Sequence, residues 1–162
     1  MGEGTTIKVG EVELAYLAGF FDGEGTILLT RRSALRVAHR GARIYLCIKV
    51  ANTNHDSLLR FQRVFGGNIY KMPKGKGVRL PAWDWSTVGG MAEKALSLLR
   101  PYLAVKARQA DLAISFRKLQ IALNETRLHR GGHEKYTEDE LNQLYHIREV
   151  LYATRNGKGR KY

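Results

Sequence analysis

Asp22 and Glu24 stand one residue apart in the run Phe21-Asp22-Gly23-Glu24-Gly25. The residues before them, with Leu14, Leu17, Ala18 and Phe21 at helical spacing, predict a helix over 12–21. Both acids then fall at its C-terminal end, where the helix dipole disfavours each by about 0.3–1 kcal/mol. A glycine-capped helix end turning into a strand explains the glycines and leaves the acids unexplained. A divalent cation accounts for both. Mg²⁺ is typically held by one or two carboxylates with phosphate oxygens and water, and Gly23 and Gly25 allow a ligand close to the backbone. Beside a cationic surface, such a pair points to metal-assisted hydrolysis of a phosphodiester.

The charge distribution supplies that surface. The 162 residues hold 27 Lys and Arg against 15 Asp and Glu, a net charge of +12 with a pI near 10.0. Between Gly25 and Trp83 lie twelve cations (Arg31, Arg32, Arg36, Arg40, Arg43, Lys49, Arg60, Arg63, Lys71, Lys74, Lys76, Arg79), and Asp56 is the sole acid. So one-sided a block is the footprint of a polyanion, which makes nucleic acid the expected partner. A hydrophobic content of 44% fills an ordinary core. The expected division is one domain over 1–154 and a basic, disordered tail over 155–162. Cys47 is the sole cysteine, so no internal disulfide forms and a reducing compartment is expected. No apolar run approaches the roughly 20 residues that span a bilayer, and 1–13 lacks the apolar core of a secretory signal. The expectation is an intracellular, cytoplasmic or organellar, DNA-associated protein with no membrane partner.

The elements that must position these residues follow from periodicity. Residues 26–30 predict a strand. Over 43–50, Ile44, Leu46, Ile48 and Val50 point one way and Arg43, Tyr45, Cys47 and Lys49 the other, a strand with one buried and one cationic face. A helix follows, capped by Asn54 or Asp56 and stopped by Gly66-Gly67. A second strand pair, 68–72 and 79–87, surrounds a turn at 73–77, with Trp83 and Trp85 toward the core. Residues 91–100 predict a helix, and 105–123 a longer one with Val105, Leu112, Phe116, Leu119 and Leu123 on its buried stripe. Residues 124–136 are polar and loop-like, and Thr137 with Glu140 forms a capping box for a last helix over 138–153. His129 and His133 lie in the polar segment without a second ligand pair and are not read as zinc ligands. The order is αββαββα with further helices, a mixed α/β (α+β) fold.

The nine residues Leu17-Ala18-Gly19-Phe20-Phe21-Asp22-Gly23-Glu24-Gly25 resemble the LAGLIDADG motif of homing endonucleases. Two later segments extend the resemblance. Val50-Ala51-Asn52-Thr53-Asn54 leading into SLLRFQRVFGGNIY is similar to the family's second strand, following helix and glycine turn. LRPYLAVKARQA, 99–110, is similar to its later proline-to-lysine segment. The resemblance implies an αββαββα core whose saddle-shaped antiparallel sheet lies in the DNA major groove. Its motif helices pack against each other, with Ala15, Ala18 and Gly19 small enough to let the backbones approach. A single motif copy resembles the homodimeric members, and two-fold symmetry then implies a roughly palindromic target with two cleavage points.

Carried over residue by residue, the resemblance makes Glu24 the metal-binding acid and the Gly23 carbonyl a backbone ligand. Asp22 becomes a structural acid capping the partner helix, and Lys106 the basic residue beside the active-site water and phosphate. Asn52 stands where some relatives carry a solvent-positioning Gln. Asp56 stands where an Arg would be expected, a departure from the pattern. The implied ion is Mg²⁺ or another divalent cation such as Mn²⁺. Period-2 continuation from Glu24 turns Thr26, Leu28, Thr30 and Arg32 toward DNA, with Arg43, Tyr45 and Lys49 on the next strand and Asn68, Tyr70 and Met72 on the third. Lys and Arg donate to guanine O6 and N7, and Asn brackets adenine. Lys74, Lys76, Lys158, Arg160 and Lys161 are expected at phosphates. The implied activity is Mg²⁺-dependent, site-specific cutting of both strands with short 3′ overhangs, by an intron-encoded homodimer. The same saddle would also suit a maturase that binds its intron RNA, or a DNA-binding regulator with a silent motif.

Overall fold

A computed structural model of the chain describes residues 10–32, 43–73, 80–129 and 136–155. Helix α1 (Glu11–Glu24) continues beyond its expected end at Phe21, so Asp22, Gly23 and Glu24 form its last turn. Gly25 ends it: its N–H donates to the Phe21 carbonyl while its own backbone is extended. A Cβ at Gly25 would lie 2.4 Å from Phe21 Cδ2 and 2.5 Å from the Phe21 carbonyl oxygen. Only glycine lets the chain leave the helix directly over the fully buried Phe21 ring.

The chain then forms β1 (Gly25–Arg32), β2 (Arg43–Asn52), α2 (His55–Phe65), β3 (Asn68–Lys71), β4 (Trp83–Val88), α3 (Gly89–Leu99), a 3₁₀ turn at Arg100–Tyr102, α4 (Ala107–His129) and α5 (Glu138–Arg155). The expected αββαββα order is present, with two further helices. The strands lie in the order β1-β2-β4-β3, every neighbouring pair antiparallel. Ile27, Leu29, Ile44, Leu46, Ile48, Val50 and Trp85 bury one sheet face against Leu14, Leu17 and Phe21 of α1 and against Phe61, Leu96 and Phe116 of later helices. Each such burial is worth about 1.5–3 kcal/mol.

Local chemistry fixes the ends of the elements. Asn54 caps α2 by accepting from the Ser57 N–H at 3.1 Å. Gly67, at φ 86°, lies where a Cβ would come within 2.5 Å of the Ser86 carbonyl oxygen, so the turn from α2 into β3 requires glycine. The Thr137–Glu140 capping box forms in both directions, at 2.8 and 3.2 Å. Arg148 of α5 donates to the Leu29 carbonyl on the edge strand β1 at 3.0 Å, blunting that edge.

Three expectations need correction. Residues 124–129 continue α4 and are not a loop, because Asn124 accepts from Arg127 one turn on and from the Tyr136 hydroxyl, over whose ring Arg127 stacks. Val105 precedes α4 and is 74% exposed, so it is not part of the buried stripe. Residues 80–82 lie outside β4, which starts at Trp83. The turn residues Lys74 and Lys76, His133, and the tail with Lys158, Arg160 and Lys161 lie outside the described residues, as do the side chains of Arg32, Arg43 and His129.

Candidate active site

The end of α1 gathers three of the residues singled out by type. Asp22 accepts three backbone N–H groups with its two carboxylate oxygens: Ala104 at 2.7 Å and Val105 at 3.0 Å on Oδ2, and Lys106 at 2.8 Å on Oδ1. These donors lie just before α4, so within its own chain Asp22 caps the segment that leads into that helix. Burial pushes its carboxyl up, but the N–H groups of Val105, Ala104 and Lys106 and the Lys106 charge outweigh this, and its pKa lies below the ordinary value. The Lys106 ammonium donates back to the Asp22 carbonyl. Burial lowers the Lys106 pKa, against the opposing pull of the Asp22 and Glu24 carboxylates. The acid that the sequence alone could not explain is therefore satisfied by α4's approach, and it draws Lys106 to the motif.

Gly23 and Glu24 are exposed at the same helix end. Among the described residues no group of three or more His, Cys, Asp or Glu side chains is placed to hold a metal ion. The Glu24 carboxylate and the Gly23 carbonyl are hard oxygen donors of the kind that Mg²⁺ takes. Asn52 ends β2, opposite Trp83 on the core-facing parity, and its Oδ1 accepts from the Asn54 N–H at 2.8 Å. One of the two acceptor sites of its amide oxygen is thus engaged in the turn into α2. Asp56 is exposed in the first turn of α2, a favourable place for an acid.

Glycine and alanine on α1 divide between its two faces. Ala15 and Gly19 are exposed with Val12 on the face opposite the core, and a Cβ at Gly19 would meet nothing within 4 Å. Ala18, expected beside them, is wholly buried among its own chain's core residues, so it does not belong to an outer contact face.

Among the described residues, no helix packs on the other sheet face. Directly opposed residues share a face, and the register joins Thr26 to Lys49, Leu28 to Cys47 and Thr30 to Tyr45, then Lys49 to Ser86 and Ala51 to Asp84, then Asn68 to Ser86 and Tyr70 to Asp84. Every expected reader of β1 to β3 whose side chain is described lies on this face, and Met72 is exposed just beyond β3. Asp84, Ser86 and Val88 lie there too. The alternation Trp83-Asp84-Trp85 signals Asp84's outward face, but only the register shows that β4 lies between β2 and β3. The basic block is less one-sided than its sequence: Arg60 pairs with Glu13 and stacks on Tyr16 at 3.9 Å, joining α2 to α1, and Arg31 stacks on Tyr145. Lys49 pairs with Asp84 at 3.0 Å.

This architecture is shared with solved structures. The homing endonuclease I-CvuI in complex with its target superposes with a TM-score of 0.69 at 22% identity, over 93% of this chain and 87% of that one. The archaeal intron-encoded homing endonuclease I-Vdi141I complexed with DNA gives 0.69 at 16% identity, over 94% and 89%. The LAGLIDADG homing endonuclease I-SmaMI bound to cleaved DNA gives 0.63 at 16% identity, over 88% of this chain but 44% of that one. No family model and no curated protein sequence matches the chain. The chain has the LAGLIDADG homing endonuclease fold, and the nine-residue segment 17–25 runs through the end of α1 to the first residue of β1.

Proposed function

We propose that the chain is one half of a homodimeric, site-specific double-strand DNA endonuclease. The observation that supports this best is the meeting of Glu24, the Gly23 carbonyl and Lys106 at one helix end, in a fold shared with proteins whose structures hold DNA. In this reading 1–154 acts as one domain. Its helix-free sheet face enters the major groove, which admits β structure and displays the base edges. Val12, Ala15 and Gly19 receive the α1 of a second copy, bringing the two copies' Glu24 and Gly23 together as a complete set of oxygen ligands for Mg²⁺ or Mn²⁺. Such an ion, when bound, supplies a more acidic water and charge stabilisation at the phosphate. Asp22 fixes the segment carrying Lys106, and Lys106 presents a partly desolvated ammonium beside Glu24, where it donates to a phosphate oxygen or to solvent. Two-fold symmetry makes the target a long, near-palindromic site cut once in each strand, and short 3′ overhangs and an intron origin belong to the same reading.

The test is selection of cut ends from a randomised duplex library with Mg²⁺ or Ca²⁺. Ends at one near-palindromic site, with Mg²⁺ alone, are expected. Glu24→Gln abolishes cutting while binding persists or tightens, because one charge that repels phosphate is gone. Equal cutting by this variant and the parent would remove Glu24 from the reaction. Retention of DNA without ends in either ion would replace the endonuclease with a regulator, and capture of intron RNA alone would replace it with a maturase.

A further inference from the structure

We propose that Asp84 is a positioning residue for base recognition: it holds the Lys49 ammonium over the open sheet face, and the pair sets a preference for guanine at one position of each half-site. The inference rests on the DNA-binding reading above and extends it to a residue outside the motif. Lys49 Nζ lies 3.0 Å from Asp84 Oδ2, and the two side chains remain 40% and 21% exposed. Among the described side chains of that face they are the only charged ones.

An acid on a surface that receives a polyanion weakens binding unless it does something else. Paired, the two contribute no net charge, so Lys49 is a poor phosphate anchor. It is a good base reader. An ammonium has three N–H donors; one goes to Asp84, and two remain, matching in number the two acceptors, O6 and N7, on the major-groove edge of guanine. The flanking Cys47 and Ala51 on β2 offer no competing charge. Among the described residues Asp84 Oδ1 is buried with no hydrogen-bond partner, and the carboxylate's bond there is the one that orients Lys49.

The test takes the site selected by the full-length protein and measures binding of parent, Asp84→Asn, Lys49→Ala and Lys49→Arg to duplexes substituted one base pair at a time, at several salt concentrations. Thermal melts check that each variant folds. The parent should lose about tenfold or more in affinity when guanine is replaced at one symmetric pair of positions, the ordinary discrimination of a good base contact. Asp84→Asn and Lys49→Ala should each flatten the profile at that pair and nowhere else, and Lys49→Arg should retain it. Asp84→Asn, by freeing Lys49 to reach phosphates, should steepen the salt slope by about one, whereas Lys49→Ala, which leaves the Asp84 carboxylate uncompensated, should make it shallower. An unaltered profile in Asp84→Asn, or a loss in Lys49→Ala that is uniform at all positions, overturns the inference and leaves the endonuclease reading standing. Failure of the parent to select any duplex overturns both.

Discussion

Asp22 shows how the type of a residue and its role come apart. Its position in the motif marks it as an acid at the wrong end of a helix, and that alone cannot separate a metal ligand from a cap. The answer is a set of three N–H donors more than eighty residues away in the chain, at Ala104, Val105 and Lys106, which no local pattern announces. Loss of its carboxylate leaves those donors to water and releases Lys106. Asp22→Ala should therefore cost about 2 kcal/mol of stability, the upper range for an N-terminal cap, together with cutting activity. The pH dependence follows from its lowered pKa. A carboxylate whose folded pKa is depressed stabilises fully above its unfolded value, near ~3.9, and this is lost as pH falls through the folded value. Thermal melts from neutral pH downward should show the gap between parent and Asp22→Ala closing below about pH 4. A gap that persists at the lowest pH would show that the carboxylate's charge is not what holds the segment.

The helices and strands themselves were largely readable, because their signals are local. Alternation across 43–50 marks the buried face of β2 correctly, Asn54 caps α2, and the Thr137–Glu140 box starts α5. What escaped was pairing and reach. The order β1-β2-β4-β3 places Asp84 on the open face, and α4 continues through 124–129, where Tyr136, beyond the helix, stacks on Arg127 and bonds Asn124. The join between α1 and β1 is stricter than a turn signal suggests. Gly25 has an ordinary extended backbone, so conformational freedom is not the reason for glycine; the Phe21 ring and carbonyl leave no room for a Cβ. Gly25→Ala should cost about 1–3 kcal/mol by overpacking, read as a lower urea midpoint, and should also displace Glu24. Gly23, where a Cβ meets nothing, should accept alanine without loss of monomer stability. Equal melting of the Gly25 variant and the parent would show that the junction relaxes freely.

Dimerisation is where neighbouring small residues on α1 must behave differently. The chain matches nearly the whole of I-CvuI and under half of I-SmaMI, so in the proposed reading a second copy supplies what a longer chain carries within itself. One carboxylate per chain makes the same demand on the candidate metal site. The surface available for pairing is the stripe of Val12, Ala15 and Gly19, turned away from the core, with Val12 85% exposed. Gly19→Leu adds a side chain to open space in the single chain and exchanges glycine for a better helix former, a gain of up to about 1 kcal/mol. Against a second helix packed at that point it is a clash. The variant should thus melt no lower than the parent as an isolated chain, yet sediment as a monomer and fail to cut both strands. Ala18→Leu should do the reverse: it overpacks the chain's own core for about 1–3 kcal/mol, lowering the melting temperature whatever the state of assembly. Sedimentation and melting of the two variants side by side separate a contact face from a core face. A Gly19→Leu chain that remains dimeric would move the interface off α1 and leave the two Glu24 carboxylates too far apart to share an ion.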